Sequence, residues 1–499
     1  MTTFFRPSQT AFKNFSIILT ALTAALGFFA ASYRMYSLGF PLDDAWIHQT
    51  YARNLAELGE WSFIPGQRSA GSTSPLWTFV VSLGYLFKSP PILWSNLVGV
   101  LCLAGTAILG ESIIHRELPI SYRIPLFGFF LTLEWHLIWA AVSGMETALY
   151  VLIITLFFAL LERQTISPFV LGSLIGLTVW IRPDGITLLG PGLLVAAVSS
   201  NNLWGKIKRI GGILLGTAFL FLPYLVFNNY MAGSWWPNTF YAKQAEYAVQ
   251  TQIPFLQRLF SLISLPLIGA GITVFPGFLW QTLKAAKNKN WVLISAFLWW
   301  LGYNIVYAIR LPVTYQHGRY LIPSMAIFFI IAASGSNDLL NRLLDWGKTG
   351  MLLRKTWFLI IMATTLAFYA VGAHAYAVDV AIIQTEMVET AQWIEKNSPP
   401  SAIVAAHDIG ALGYFGERKI IDLAGLVSPE VIPFIRDETL LGEYMDKVGA
   451  YYLMTFPQWY PQLTAGLPVA YSSNGMFSKS AGGENMKVYS WQVGEVNPK

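Results

Sequence analysis

Long apolar stretches separated by short polar connectors dominate the first three quarters of the chain. Apolar runs lie near residues 14–33, 91–110, 124–142, 147–161, 168–181, 185–199, 210–227, 259–280, 291–309, 320–334 and 356–373. A helix crossing a bilayer needs about 20 such residues, so about eleven transmembrane helices are expected, several with soft ends. The run at 75–87 has only thirteen residues and reads as a helix lying in or dipping into the interface. Segment 168–199 is the weakest point of this topology, because its two short runs could form a hairpin that does not cross fully.

After residue 375 the pattern changes. Residues 379–396 read as an amphipathic helix with Trp393 and Ile394 on its apolar side, and short strands are expected at 403–406, 419–423, 450–455, 467–472 and 486–491. The expected organisation is a membrane domain over 1–375, with a first outer loop at about 34–90, and an α/β domain over 376–499 long enough to hold its own core.

Composition supports the membrane reading. Hydrophobic residues make up 55% and charged residues 12% of the 499, where a soluble protein carries about 25% charged. Lipid must therefore cover much of the surface. The 19 Trp, 23 Tyr and 33 Phe suit interfacial belts and aromatic-lined lipid or sugar sites. One cysteine, Cys102, excludes a disulfide within the chain. With eleven spans and the N-terminus inside, the inner connectors hold 15 Lys and Arg and the longer outer loops hold 9, as the positive-inside rule requires. The run at 14–33 is then expected to be a retained helix, and the expected setting is a cytoplasmic (inner) membrane with the C-terminal domain outside.

That topology gathers polar chemistry on the outer face, while the inner loops are plain basic connectors. The first outer loop carries Asp43, Asp44 and His48; later outer junctions carry Glu146, Arg182 and Asp184, Tyr241 and Lys243, then His317, Arg319 and Tyr320. Adjacent helical carboxylates project about 100° apart, so Asp43 and Asp44 are expected to have separate tasks. One could take a proton from an acceptor hydroxyl; the alternative is a helix N-cap at the membrane surface. Glu146 at membrane depth calls for a partner or a function, or favours the dipole of its own first helical turn. Arg182 could pair with Asp184 or face a phosphate. Lys243, His317 and Arg319 are the right cations to meet an anionic leaving group, with headgroup binding and, for a lone histidine, a structural role as the plainer readings. Tyr241 and Tyr320 line the same pocket or belong to the aromatic belt. Glu134 beside His136 is the main charged exception within the spans and has no role in this scheme. P-loop, His-Glu-x-x-His, Cys-rich and Gly-x-Ser-x-Gly patterns are absent, which argues against nucleoside-triphosphate hydrolysis, and no nucleic-acid partner is expected.

Several of these segments resemble the GT-C glycosyltransferase superfamily. The run Asp43-Asp44-Ala45-Trp46-Ile47-His48, continuing through Tyr51-Ala52-Arg53-Asn54-Leu55-Ala56, is similar to its first loop, and so are Phe63-Ile64-Pro65-Gly66 and Gly71-Ser72-Thr73-Ser74-Pro75-Leu76-Trp77. Ser143-Gly144-Met145-Glu146-Thr147, Arg182-Pro183-Asp184, Asn238-Thr239-Phe240-Tyr241-Ala242-Lys243, Gly318-Arg319-Tyr320, Ala406-His407-Asp408-Ile409-Gly410-Ala411 and Asp422-Leu423-Ala424-Gly425-Leu426 extend the likeness over most of the chain, towards bacterial enzymes similar to the mycobacterial terminal arabinofuranosyltransferase. The resemblance implies inverting transfer from a polyprenyl-phosphate sugar to a glycan or glycolipid acceptor at the outer surface, with Asp43 or Asp44 as base. It leaves the sugar open, and a divalent cation as well. A transporter or flippase of lipid-linked sugars is the competing reading; it would place polar groups along several spans.

Overall fold

Every expected apolar run is helical in the computed structural model, which describes residues 9–116, 124–163 and 166–491. Parts of the expected inner segments 1–13, 111–123 and 162–167, and the end of the tail, lie outside the described residues. Among those described, Gln9–Met35, Pro91–Ile114, Leu203–Ala232, Trp291–Arg310 and the stretch Ile322–Asn397 are long and apolar enough to cross a bilayer. The last of these has two arms, Ile322–Arg342 and Gly347–Ile382, which meet at Gly347, where φ 66, ψ −139 breaks the helix. The protein is thus built as a multi-pass membrane protein.

Two expected apolar runs and the expected amphipathic helix differ in form from the reading of the sequence. The run 124–142 is two helices, Leu126–Leu133 and Trp135–Ala141, interrupted at Glu134. The Glu134 side chain caps the second by accepting the Leu137 amide at 3.1 Å and pairs with His136 at 2.8 Å. A carboxylate that looks out of place inside a span is therefore an N-cap. The run 259–280 is bent by 108° between Phe255–Leu267 and Gly271–Asn288. Pro266 and Gly269 stand at the bend, the latter at φ 114, a conformation only glycine adopts easily. Finally, the helix expected at 379–396 is not separate. The long Gly347–Ile382 helix continues through a wider turn at Ile383–Val388 into Glu389–Asn397. The short apolar segment 75–87 forms the helix Pro75–Leu86, with proline at its first turn.

Glycines set the tightest helix contacts. A Cβ on Gly172 would lie 2.1 Å from the Ile213 carbonyl oxygen, and one on Gly335 would lie 1.9 Å from that of Gly277. Small residues let these backbones touch, the usual way to pack helices when lipid supplies no hydrophobic drive.

The tail forms a five-stranded sheet of order β2-β1-β3-β5-β4, with β1 Ile403–Ala406, β2 Lys419–Asp422, β3 Tyr452–Thr455, β4 Val469–Ser472 and β5 Lys487–Ser490. β1 pairs in parallel with β2 and β3, while β5 pairs antiparallel with β3 and β4. Alternation along β1 divides the core. Ala405 faces a cluster internal to the tail with Leu423, Leu441 and Leu453, whereas Val404 and Ala406 join the cluster that continues into the membrane helices. The tail thus shares half its core with the rest of the molecule and is fixed against it.

Candidate active site

The helix Asp44–Leu58 follows the first long helix and ends at Gly59, in the left-handed region at φ 70. Asp43 holds its N-cap position but does not cap it with its side chain. Instead its two carboxylate oxygens accept the amides of Gly410 at 2.6 Å and Ala411 at 2.8 Å, at the start of the tail helix Gly410–Phe415. Trp46 packs on Tyr414 and Phe415 at 4.8 and 4.7 Å, and Arg53 donates to the Tyr414 carbonyl at 3.0 Å. Burial and the charge of Asp408 push Asp43 up to about 8, against the two amides, which favour its ionised form.

This docking explains why residue 410 is glycine: a Cβ there would sit 2.0 Å from the Asp43 carbonyl oxygen. Gly410→Ala is expected to destabilise the docked tail by about 1–3 kcal/mol, and Asp43→Ala by about 1–3 kcal/mol, because the Gly410 and Ala411 amides lose their acceptor. Both would be read as a lower unfolding temperature of the purified protein and faster proteolysis of the tail.

One residue on, Asp44 points elsewhere. Its Oδ2 accepts Nη2 of Arg319 at 2.5 Å and Nζ of Lys243 at 3.4 Å. Lys243 and Arg319 both donate to the Tyr320 hydroxyl, at 2.7 and 2.9 Å. Burial alone would raise the Asp44 carboxyl, but Lys243 and Arg319 outweigh it and hold it well below the usual carboxylate range. Two further donors of Arg319, Nε and Nη1, are buried without a hydrogen-bond partner. An unpaired buried guanidinium N–H is costly unless something accepts it.

Asp44, Lys243 and Arg319 form a wall shared by two cavities. One, of about 310 Å³, exposes mostly apolar surface, to which Met145, Trp236, Phe240 and Leu311 contribute, with charged and polar side chains between them. The other, of about 710 Å³, lies between these residues and the tail, where His407, Asp408, Trp459 and Tyr460 line it. The adjacent aspartates have separate tasks: Asp43 anchors the tail, and Asp44 faces both cavities.

The other expected residues divide into two groups. Glu146 and Arg182 line the smaller cavity as part of a buried chain: His48 Nε2 lies 3.5 Å from Glu146, and Arg182 reaches Glu146 at 3.2 Å, Asp184 at 3.2 Å and Tyr307 at 2.8 Å. Tyr303 and Tyr307 both donate to Asp184. Arg182 is therefore committed to protein partners, and braces the cavity wall. His48 accordingly lies behind that wall, held also by Ser72 and Thr78 at 3.2 Å each. Tyr241 and His317 do not join the cluster. Tyr241 is half-exposed and edge-on to Phe240. His317 pairs with Asp379 at 2.8 Å between Trp135 and Trp139. It does stand in the turn that delivers Arg319, in which Gln316, His317 and Gly318 are left-handed at φ 51, 58 and 67. Sequence reasoning gave no role to Tyr303, Tyr307 or Glu246; nothing local marks two tyrosines one helical turn apart as carboxylate donors.

Among the described residues no group of three or more His, Cys, Asp or Glu side chains is placed to hold a metal ion. Asp44 is flanked by Lys243 and Arg319, so a divalent ion at that carboxylate would meet both cations, and no step of the chemistry is routed through one.

A family described as a domain of unknown function (DUF8728) matches residues 373–489. No curated protein matches the sequence. Among solved structures, ArnT from Cupriavidus metallidurans bound to undecaprenyl phosphate is similar over 97% of this chain and 99% of that one, with a TM-score of 0.58 at 13% identity. The Archaeoglobus fulgidus oligosaccharyltransferase tethered with an acceptor peptide is similar over 90% of this chain and 70% of that one, with a TM-score of 0.55 at 11% identity. The same oligosaccharyltransferase, AglB, in complex with an inhibitory peptide and a dolichol-phosphate gives 0.54. At these identities the likeness is one of architecture: the chain shares the overall fold of these structures.

Proposed function

We propose that the protein is an inverting glycosyltransferase that moves a sugar from a polyprenyl-phosphate donor to a hydroxyl of a cell-envelope glycan or glycolipid. The observation that carries this reading is the shared wall: a carboxylate and two cations stand where a largely apolar cavity meets a larger and more polar one. The relatives of this fold that bind undecaprenyl phosphate or dolichol-phosphate add support. In this proposal the eleven spans have the N-terminus inside a cytoplasmic membrane, and the tail and both cavities face outward.

The donor's lipid enters the smaller cavity along its apolar lining. Its phosphate accepts from Lys243 and from the unpaired N–H groups of Arg319, charge-assisted bonds that strengthen as the leaving group gains charge. Drawing those two cations away from Asp44 raises its basicity when donor is present. The acceptor oxygen attacks the anomeric carbon from the opposite side, its proton passes to Asp44, and the bond from the anomeric carbon to the phosphate oxygen breaks. The products are the glycosylated acceptor and polyprenyl phosphate. Holding both reactants against one wall supplies the orientation.

The test offers purified protein a panel of pentosyl (arabinofuranosyl included) and hexosyl polyprenyl phosphates with a cell-envelope extract. The anomeric configuration of the product is then read by NMR. Inversion relative to the donor is expected, and the panel identifies the sugar. Retention would overturn the single displacement at Asp44.

A further inference from the structure

We infer that the larger cavity is an acceptor subsite for an uncharged sugar ring, with Trp459 as its stacking platform and Asp408 as the acceptor of its hydroxyls. The inference rests on the transferase reading and assigns the tail a part in it.

The cavity of about 710 Å³ is of the size that small-molecule sites occupy. Its floor is Asp44, Lys243 and Arg319, and its roof belongs to the tail. His407 and Asp408 follow β1 directly and lead into the helix whose first amides Asp43 holds. The tether that anchors the tail therefore also fixes Asp408 relative to Asp44. His407 is locked in turn: its Nδ1 lies 2.8 Å from the Tyr460 hydroxyl, and its Nε2 lies 3.5 Å from Glu246. Its ring meets Trp459 edge-on, with centroids 5.0 Å apart, and Phe456 backs Trp459 at 5.0 Å. Trp459 is thus held in place yet remains 41% exposed. A rigid, part-exposed indole beside hydrogen-bonding carboxylates offers an apolar face to a ring and acceptors to its hydroxyls.

Charge decides the class of ring. The groups facing the cavity are Asp43, Asp44, Glu246, Asp408 and Glu438 against Lys243, Arg319, His407 and Arg436. Asp43 is taken by the tail amides, Lys243 and Arg319 are turned to Asp44, and Glu438 accepts the amides of Gln462 and Leu463 at 2.7 and 2.8 Å. Glu246 is paired with His407. Among the described residues the Asp408 carboxylate accepts no hydrogen bond, so it is the lining carboxylate left to a ligand; of the cations, Arg436 is exposed without a protein partner, and the remaining donors of Arg319 are given to the donor phosphate in our proposal. Hydroxyls donate to it, whereas a uronate or phosphate substituent meets it as a like charge.

The experiment uses the full-length protein in detergent, with the variants Trp459→Ala, Trp459→Tyr and Asp408→Asn. Saturation-transfer NMR measures binding of methyl pyranosides, methyl furanosides and a methyl uronide, and calorimetry measures binding of undecaprenyl phosphate. Neutral glycosides are expected to bind the wild type more tightly than the uronide. Their affinity should fall about tenfold in Trp459→Ala, the size of effect usual for truncating a buried aromatic anchor, and persist in Trp459→Tyr. Undecaprenyl phosphate should bind all four proteins equally, which also reports that the variants are folded. If undecaprenyl phosphate binds but no glycoside does, or if Trp459→Ala leaves glycoside affinity unchanged, the acceptor subsite is overturned while the transferase reading stands. If undecaprenyl phosphate does not bind the wild type, the transferase reading fails and takes this inference with it.

Discussion

Asp44→Asn is expected to lower kcat for sugar transfer by about 10²–10⁴-fold, the range a positioned general base supplies, with little change in the KM for donor. Asparagine keeps the shape and still accepts from Lys243 and Arg319, which approach Oδ2 at 3.4 and 2.5 Å, so the loss reports the missing proton acceptor. The pH behaviour follows from the same pairing. The two cations hold Asp44 well below the usual carboxylate range, so in the free enzyme it is ionised throughout the neutral region. A depressed carboxyl also stabilises the fold at neutral pH, and loses that contribution only as pH falls below about 3.9 towards the folded-state value. The ratio of wild-type to Asp44→Asn kcat/KM should therefore stay flat from about pH 5 to pH 8. A ratio that collapses towards unity at the acid end of that window would show that Asp44 titrates there and is not held down by the two cations, and a ratio near unity throughout would show that another group is the base.

The second large effect is expected at Arg319. Its Nε and Nη1 are buried without partners, beside the cavity that takes the donor in our proposal. Arg319→Met removes the charge and all its donors, and should lower kcat by about 10²–10³-fold, as removal of a single preorganised donor to a developing anion does. Donor affinity should weaken with it. Arg319→Lys keeps the charge but loses the planar fork, and should fall between. Steady-state transfer at varied donor concentration separates the two terms. If Arg319→Met left kcat intact, the leaving phosphate would have to lie elsewhere.

Much of this architecture can be read from the sequence because the signals are local. Strands of the tail fall where alternation and flanking turns put them, as with Ile403–Ala406 and Tyr452–Thr455. What apolarity cannot show is a break. A run such as 124–142 stays apolar across Glu134, and only the cap geometry marks two helices. The 108° bend after Phe255–Leu267 likewise hides in an unbroken apolar stretch. At the site, residue type and side put Asp44, Lys243, Arg319 and Tyr320, which the fold brings together, among the outer-face candidates without singling them out. They could not tell Asp43 from Asp44, because the partner that claims Asp43 is 367 residues away in the chain. Nor could they see that His317, two residues before Arg319, turns to Asp379. Its partner is also remote in sequence.

The most direct test of the central claim places wild-type protein in proteoliposomes with a radiolabelled polyprenyl-phosphate sugar and an acceptor extract. Two quantities are followed together: label in the acceptor, and label carried across the bilayer while still on lipid. The account predicts that label moves to the acceptor with one polyprenyl phosphate released per sugar, and that lipid-linked sugar does not cross. Label that crosses the bilayer on intact lipid, with none reaching an acceptor, would contradict it and establish a transporter instead.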